Sequence, residues 1–163
     1  MKPMKYLLVL GLLLGLTCHA GTVEGLVVGV ADGNTITVRD ARKVQHKIRL
    51  AGIDAPEKFQ AYGQRSKDSL SALVFRMEVT VQTGKKDPSG REVGKVLVGR
   101  LDAGLEQVRR GFAWHHNAHE REQSAEDRKA YAAAEAEARV QRAGLWRDAH
   151  PVPPWEFRQG KRK

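Results

Sequence analysis

Two runs dominated by Val, Ile, Leu and Thr, Leu26 to Val30 and Thr35 to Val38, flank Asp32-Gly33. The pairing of two strand-like runs around Asp-Gly predicts a β-hairpin. A third run, Val44 to Ile53, alternates so that Ile48 and Leu50 share one face and Arg49 points to the other, which leaves Arg49 outside the core. After Asp54 the period lengthens. Phe59, Tyr62, Ser66, Leu70 and Leu73 recur every three or four positions, and Pro56 suits a first helical turn, so a helix is predicted over 56–75. Val79 and Val81 resume strand spacing, a turn-rich stretch occupies 84–90, and Val93 to Val98 is a fifth strand. Leu105 to Arg110 is a short helix ended by Gly111. Ser124 to Asp127 resembles a capping box and opens an alanine-rich helix stopped at Gly144.

Five short strands interrupted by a helix, with about three helices in all, give a mainly β chain with helices (α+β). The architecture expected is a closed five-stranded oligonucleotide-binding (OB) barrel, with an open α+β sandwich as the alternative. The segment from His150, carrying Pro151, Pro153 and Pro154, is expected to be extended, and the charges of Arg158, Lys161, Arg162 and Lys163 to be solvated. The chain therefore divides into a leader over 1–20, a barrel domain over 21–148 and a Pro-rich basic tail over 149–163.

The leader is set apart by composition. Lys2 and Lys5 precede an apolar run from Tyr6 to Leu16, and the small residues Cys18 and Ala20 precede Gly21. This pattern predicts export with cleavage after Ala20, placing the protein in the periplasm or the medium. The run falls well short of the roughly twenty residues that cross a bilayer, so the mature form is expected to have no membrane span. Lipid attachment at Cys18 is the alternative, poorly matched by Gly15-Leu16-Thr17. Cleavage removes the single cysteine, so the mature protein relies on packing without disulfides.

Charge narrows the partner. Among 163 residues, 41% are hydrophobic, which suits one globular domain, yet the formal net charge is +9. The leader contributes two of those positive charges. A basic body points to an anionic partner, nucleic acid before membrane, because the clustered tail charges lack an amphipathic face.

Hydrolysis of a phosphodiester needs a placed water, neutralisation of growing charge on phosphoryl oxygens, and usually a divalent ion held by oxygens. Asp54 and Glu57 lie three apart, Arg49 lies five before Asp54, and Asp32-Gly33-Asn34 forms a hairpin tip able to fold over them. Oxygen donors without cysteine imply a hard ion, Ca²⁺ or Mg²⁺. Each residue alone has a plainer reading: a hairpin turn, a helix cap with a first-turn acid, a surface arginine.

The whole string is more specific. GLVVGVADGNTITV over 25–38, IRLAGIDAPE over 48–57, DPSGR over 87–91 and GLW over 144–146 resemble the staphylococcal nuclease (thermonuclease) family in order and spacing, and the resemblance continues into the Pro-Pro-Trp-Glu-Phe-Arg tail. It implies an OB barrel that cuts DNA and RNA in a Ca²⁺-dependent reaction with little sequence preference; separately, the protein is expected to be a monomer. Arg49 and Arg91 match the arginines that grip the scissile phosphate. Glu57 matches the general base, Asp54 a metal ligand, and Ala55 a backbone carbonyl ligand. Lys85, Lys86 and His119 are the expected substrate-binding residues.

Four positions depart from the pattern. Asn34 stands where the family carries a metal-binding aspartate; its amide oxygen brings no charge, so metal affinity should fall, or the ion preferred should change. Asn117 and His119 stand where a tyrosine pair meets the substrate base, and Ser89 replaces a frequent aromatic. His115 and His119, four apart, would share a face on a helix and offer a transition-metal alternative. The rival from another class is a nucleic-acid-binding barrel with weak or lost catalysis.

Overall fold

The computed structural model describes residues 21–160. The leader, its cut after Ala20, Cys18 and Lys161 to Lys163 lie outside the described residues. In chain order the elements are β1 (Gly21–Asp32), β2 (Thr35–Arg39), β3 (Gln45–Leu50), β4 (Ile53–Asp54), α1 (Gly63–Val74), β5 (Glu78–Lys86), β6 (Glu92–Val98), β7 (Leu101–Asp102), α2 (Ala103–Arg109), β8 (Trp114–His115), α3 (Ala125–Val140) and α4 (Pro154–Gly160). Short 3₁₀ turns cover Asn117–Glu122 and Gly144–Arg147.

Five strands close into the expected barrel. β1 pairs antiparallel with β5 through its first half and with β2 through its second, and irregularities in register between Val27 and Gly29 and between Val30 and Asp32 accompany the second pairing. Such bulges bend and twist a strand, which closure requires. β2 continues to β3 and β5 to β6, and the parallel pairing of β3 with β6, Arg49 opposite Val93, shuts the ring. His46 reinforces that seam, its Nδ1 lying 2.9 Å from Glu92 Oε1.

The inward positions of these strands form one core with α1 and α2. Val27, Ile36, Ile48, Leu50, Ile53, Val81 and Val96 are buried against Leu70, Val74 and Val108. Each such aliphatic side chain contributes about 1.5–3 kcal/mol relative to exposure. Ile48 and Leu50 share the core face as the alternation predicts. A second cluster joins Trp114, Ala138, Leu145 and Trp146 to the partly buried Tyr62 and Trp155.

Two expectations are corrected. The helix predicted over 56–75 begins only at Gly63. The Gln60 side chain accepts from Glu57 N–H at 3.0 Å, the Glu57 carbonyl accepts from Gln60 N–H at 2.9 Å, and Tyr62 is left-handed at φ 66°. The chain therefore turns where a helix would start, and Phe59 is 78% exposed rather than on a buried stripe. The tail is not extended throughout. Pro154 to Gly160 is helical, because the prolines at 151, 153 and 154 precede the helix or open it rather than interrupt it. That helix brings Arg158, expected in solvent, against Asp54 and Glu57.

Candidate active site

The ends of β3, β4 and β6, the β1–β2 turn, the loop between β5 and β6 and the 3₁₀ turn before α3 surround a cleft of about 480 Å³. Its lining includes all nine predicted residues: Arg49, Glu57, Arg91, Asn34, Asp54, Ala55, Lys85, Lys86 and His119.

One half of the cleft is built to hold negative charge. Arg49, at the end of β3, is 6% exposed, and an arginine so buried needs partners. Its Nη2 donates to Glu122 Oε1 at 2.6 Å, and its Nε lies 3.4 Å from Asp87 Oδ2. Its Nη1 is buried in the wall of the cleft without a hydrogen-bond acceptor. Arg91 donates from Nε to Asp87 Oδ2 at 2.7 Å and from Nη1 to Thr35 Oγ1 at 3.1 Å. Asp87 thus spaces the two guanidinium groups. It is held in turn by the backbone N–H groups of Ser89 and Arg91, each at 3.0 Å. Burial works to raise the Asp87 carboxyl, and those hydrogen bonds with the Arg91 charge outweigh it and hold it below the usual range.

Glu122 occupies the centre of this half. Besides Arg49 it meets Lys85 Nζ at 3.1 Å, His119 Nδ1 at 3.2 Å and the Gly52 N–H at 3.1 Å. Burial pushes its carboxyl upward, but bonds from His119, Arg49 and Gly52 prevail, and it remains ionised far below the ordinary range. Three cationic or polar side chains and a backbone amide therefore converge on one oxyanion, which is the chemistry a phosphate oxygen also presents.

The other half is built from oxygens. Asp54 lies on β4, fixed by antiparallel pairing with Trp114 of β8. Asp54, Ala55 and Asn34 are all buried. Asn34 Nδ2 faces the Ile53 carbonyl at 3.4 Å, which leaves Oδ1 as the atom it offers a cation. Its turn is tightly fitted: a methyl group on Gly33 would overlap Ser66 Oγ and Ala55 Cβ. Gln107, fully buried, holds the same turn by donating to the Gly33 and Ser66 carbonyls at 3.0 Å each. Among the described residues no group of three or more His, Cys, Asp or Glu is arranged to hold a metal. A hard cation here would have to rely on amide and carbonyl oxygens beside Asp54. The donor set fits such an ion, since the guanidinium of Arg158 already sets positive charge between Asp54 and Glu57.

The histidine pair does not form the alternative metal site on a helix. His115 ends β8 with Nε2 3.0 Å from Gln123 Oε1, whereas His119 lies in the 3₁₀ turn against Glu122. Besides Asp32 of the hairpin tip, three charged residues of the cleft went unassigned from sequence. Asp87 carried a signal, since an aspartate opening D-x-x-G caps its own turn. Glu122, in a run of mixed charge, carried none. Arg158 sits three residues after Trp155, one helical face, but the prolines argued against a helix.

Comparison with known proteins places the chain. Residues 47–148 match the family model described as staphylococcal nuclease homologue. An uncharacterized endonuclease of Escherichia coli O157:H7 is 41% identical over 140 residues, covering 85% of this chain and 87% of the relative. A micrococcal nuclease of Shigella flexneri is 36% identical over 148 residues, covering 85% of this chain and 82% of the relative. An uncharacterized endonuclease of Haemophilus influenzae is 35% identical over 133 residues, covering 82% and 71%.

Proposed function

The chain belongs to the staphylococcal nuclease family, and on that premise we propose that it is an exported, divalent-cation-dependent endonuclease. It hydrolyses phosphodiester bonds of DNA and RNA with low sequence preference, as a monomer, after losing residues 1–20. The observation that carries this reading is the pairing of Arg49 and Arg91 through Asp87 across one cleft from Asp54, Ala55 and Glu57.

Arg49 and Arg91, which line the cleft, donate to the non-bridging oxygens of the phosphate, where charge grows as water adds to phosphorus. Guanidinium suits this because it stays charged and presents a planar fork. Glu57 takes the proton of the attacking water, and the bond to the leaving oxygen breaks on the opposite side of phosphorus. Lys85, Lys86 and His119 border the path of the flanking strand. Asp54, the Ala55 carbonyl and Asn34 Oδ1 would hold Ca²⁺, which would supply further neutralisation of phosphate charge.

Asn34 favours one other reading, a nucleic-acid-binding barrel with weak catalysis, because the amide removes a charge from the cation site. Incubation of the purified protein with plasmid DNA and with RNA in millimolar Ca²⁺ or Mg²⁺ separates the two. Chelator-reversible cleavage is expected, with Glu57→Gln slower by about 10²–10⁴-fold. If wild type and Glu57→Gln leave both nucleic acids equally intact while still binding them, the catalytic reading is lost.

A further inference from the structure

Arg158 lies 104 positions beyond Asp54 in the chain, yet both its terminal nitrogens are committed to the cleft. Nη2 donates to Asp54 Oδ2 at 2.6 Å, and Nη1 lies 3.3 Å from Asp54 Oδ1 and 2.8 Å from Glu57 Oε1. The bonds to Asp54 and Glu57 hold its guanidinium firmly protonated. Both oxygens of the one buried carboxylate on this side are thereby engaged by a side chain.

Docking does not depend on that ion pair alone. Trp155 stacks on His116 at 4.1 Å between ring centres and meets Trp114 edge-on at 5.6 Å. The Val152 carbonyl accepts from Gln60 Nε2 at 2.6 Å, while Gln60 Oε1 receives the Glu57 N–H. The C-terminal segment is therefore fastened to the same loop that carries Glu57.

We propose that Arg158 is an intrinsic occupant of the cation position, so that docking of α4 and binding of a divalent cation at Asp54 exclude each other. This rests on the reading of Asp54 as a metal ligand. A guanidinium and a divalent ion drawing on the same two oxygens repel each other, and Asn34 adds no charge that would let both stay. The metal-free state then has Glu57 neutralised and its cleft partly filled, and cation binding frees Glu57 by releasing the tail.

The test is calorimetric titration of Ca²⁺ into the wild type, Arg158→Ala and Trp155→Ala, with hydrogen exchange of residues 154–160 followed in parallel. Trp155 touches neither carboxylate, so its loss weakens docking while the ligands stay intact. If the undocked state makes up about a tenth of the wild type, both variants bind Ca²⁺ about tenfold more tightly. Exchange across α4 in the wild type accelerates on saturation. Equal or weaker affinity in both variants, or unchanged exchange of α4, overturns the proposal, and the nuclease reading then survives if the wild type still cleaves with Ca²⁺. Absence of Ca²⁺ binding by all three proteins overturns the proposal, and the nuclease reading falls with it only if Mg²⁺ also supports no cleavage.

Discussion

Arg49 shows how a single position acquires meaning from its surroundings. In the sequence it is an outward residue on an alternating strand. In the structure the outward face is the floor of the cleft, and burial there makes its partners, Glu122 and Asp87, part of the site. The convergence of Arg49, Asp54, Glu57 and Arg91 was legible because their spacing follows a known string. Glu122 was not, because its role depends on Arg49, 73 positions away, and no local period links them. Asn34 is the residue whose chemistry is most open to change. Asn34→Asp adds a carboxylate beside Asp54, and Ca²⁺ affinity is expected to rise by roughly tenfold, in line with the dependence of such sites on ligand charge. Calorimetric titration at constant pH checks this; an unchanged isotherm would show that position 34 does not meet the ion.

At the scale of elements, strands were read well and loops poorly. The apolar alternation of β2, β3 and β6 is dictated by the core, so composition and period suffice to find them. The turn over 56–62 depends on side-chain bonds from Gln60 and on the left-handed Tyr62, which no periodicity encodes. The tail helix depends on Trp155 finding His116 and Trp114. Gln107 on α2 shows what such non-periodic contacts do for the site, for it ties the β1–β2 turn to α1. Gln107→Leu leaves two carbonyls without their donor in a closed interior, and a loss of about 2–3 kcal/mol is expected. Urea unfolding measures it, and cleavage should slow as the turn bearing Asn34 loosens. A stability loss below about 0.5 kcal/mol, the range of ordinary surface substitutions, would mean the turn is held by other contacts.

For the whole molecule the decisive quantity is charge distribution. The excess of basic residues was visible at once, but not that part of it is already committed to ion pairs: Arg49, Arg91, Lys95 and Arg158 all meet carboxylates. Lys86 is exposed at the mouth of the cleft. Duplex binding in chelator should weaken steeply with salt, by about 0.9 in log affinity per log salt for each phosphate met. Lys86→Ala should lower that slope by about one and weaken all sequences alike. Fluorescence anisotropy across a salt series gives the slope, and an unaltered slope removes Lys86 from the strand's path. The packing of Gly33 on Ser66 and Ala55 also bears on how such a protein changes over generations. Position 33 is closed to every other side chain, because Ser66 is itself pinned to the Phe112 carbonyl at 2.6 Å. Position 34, one residue on, faces the cleft, and asparagine and aspartate differ by one base in their codons. On the proposed role of position 34 as a cation ligand, a lineage would move between stronger and weaker cation dependence by a single mutation, while the turn that carries it stays frozen.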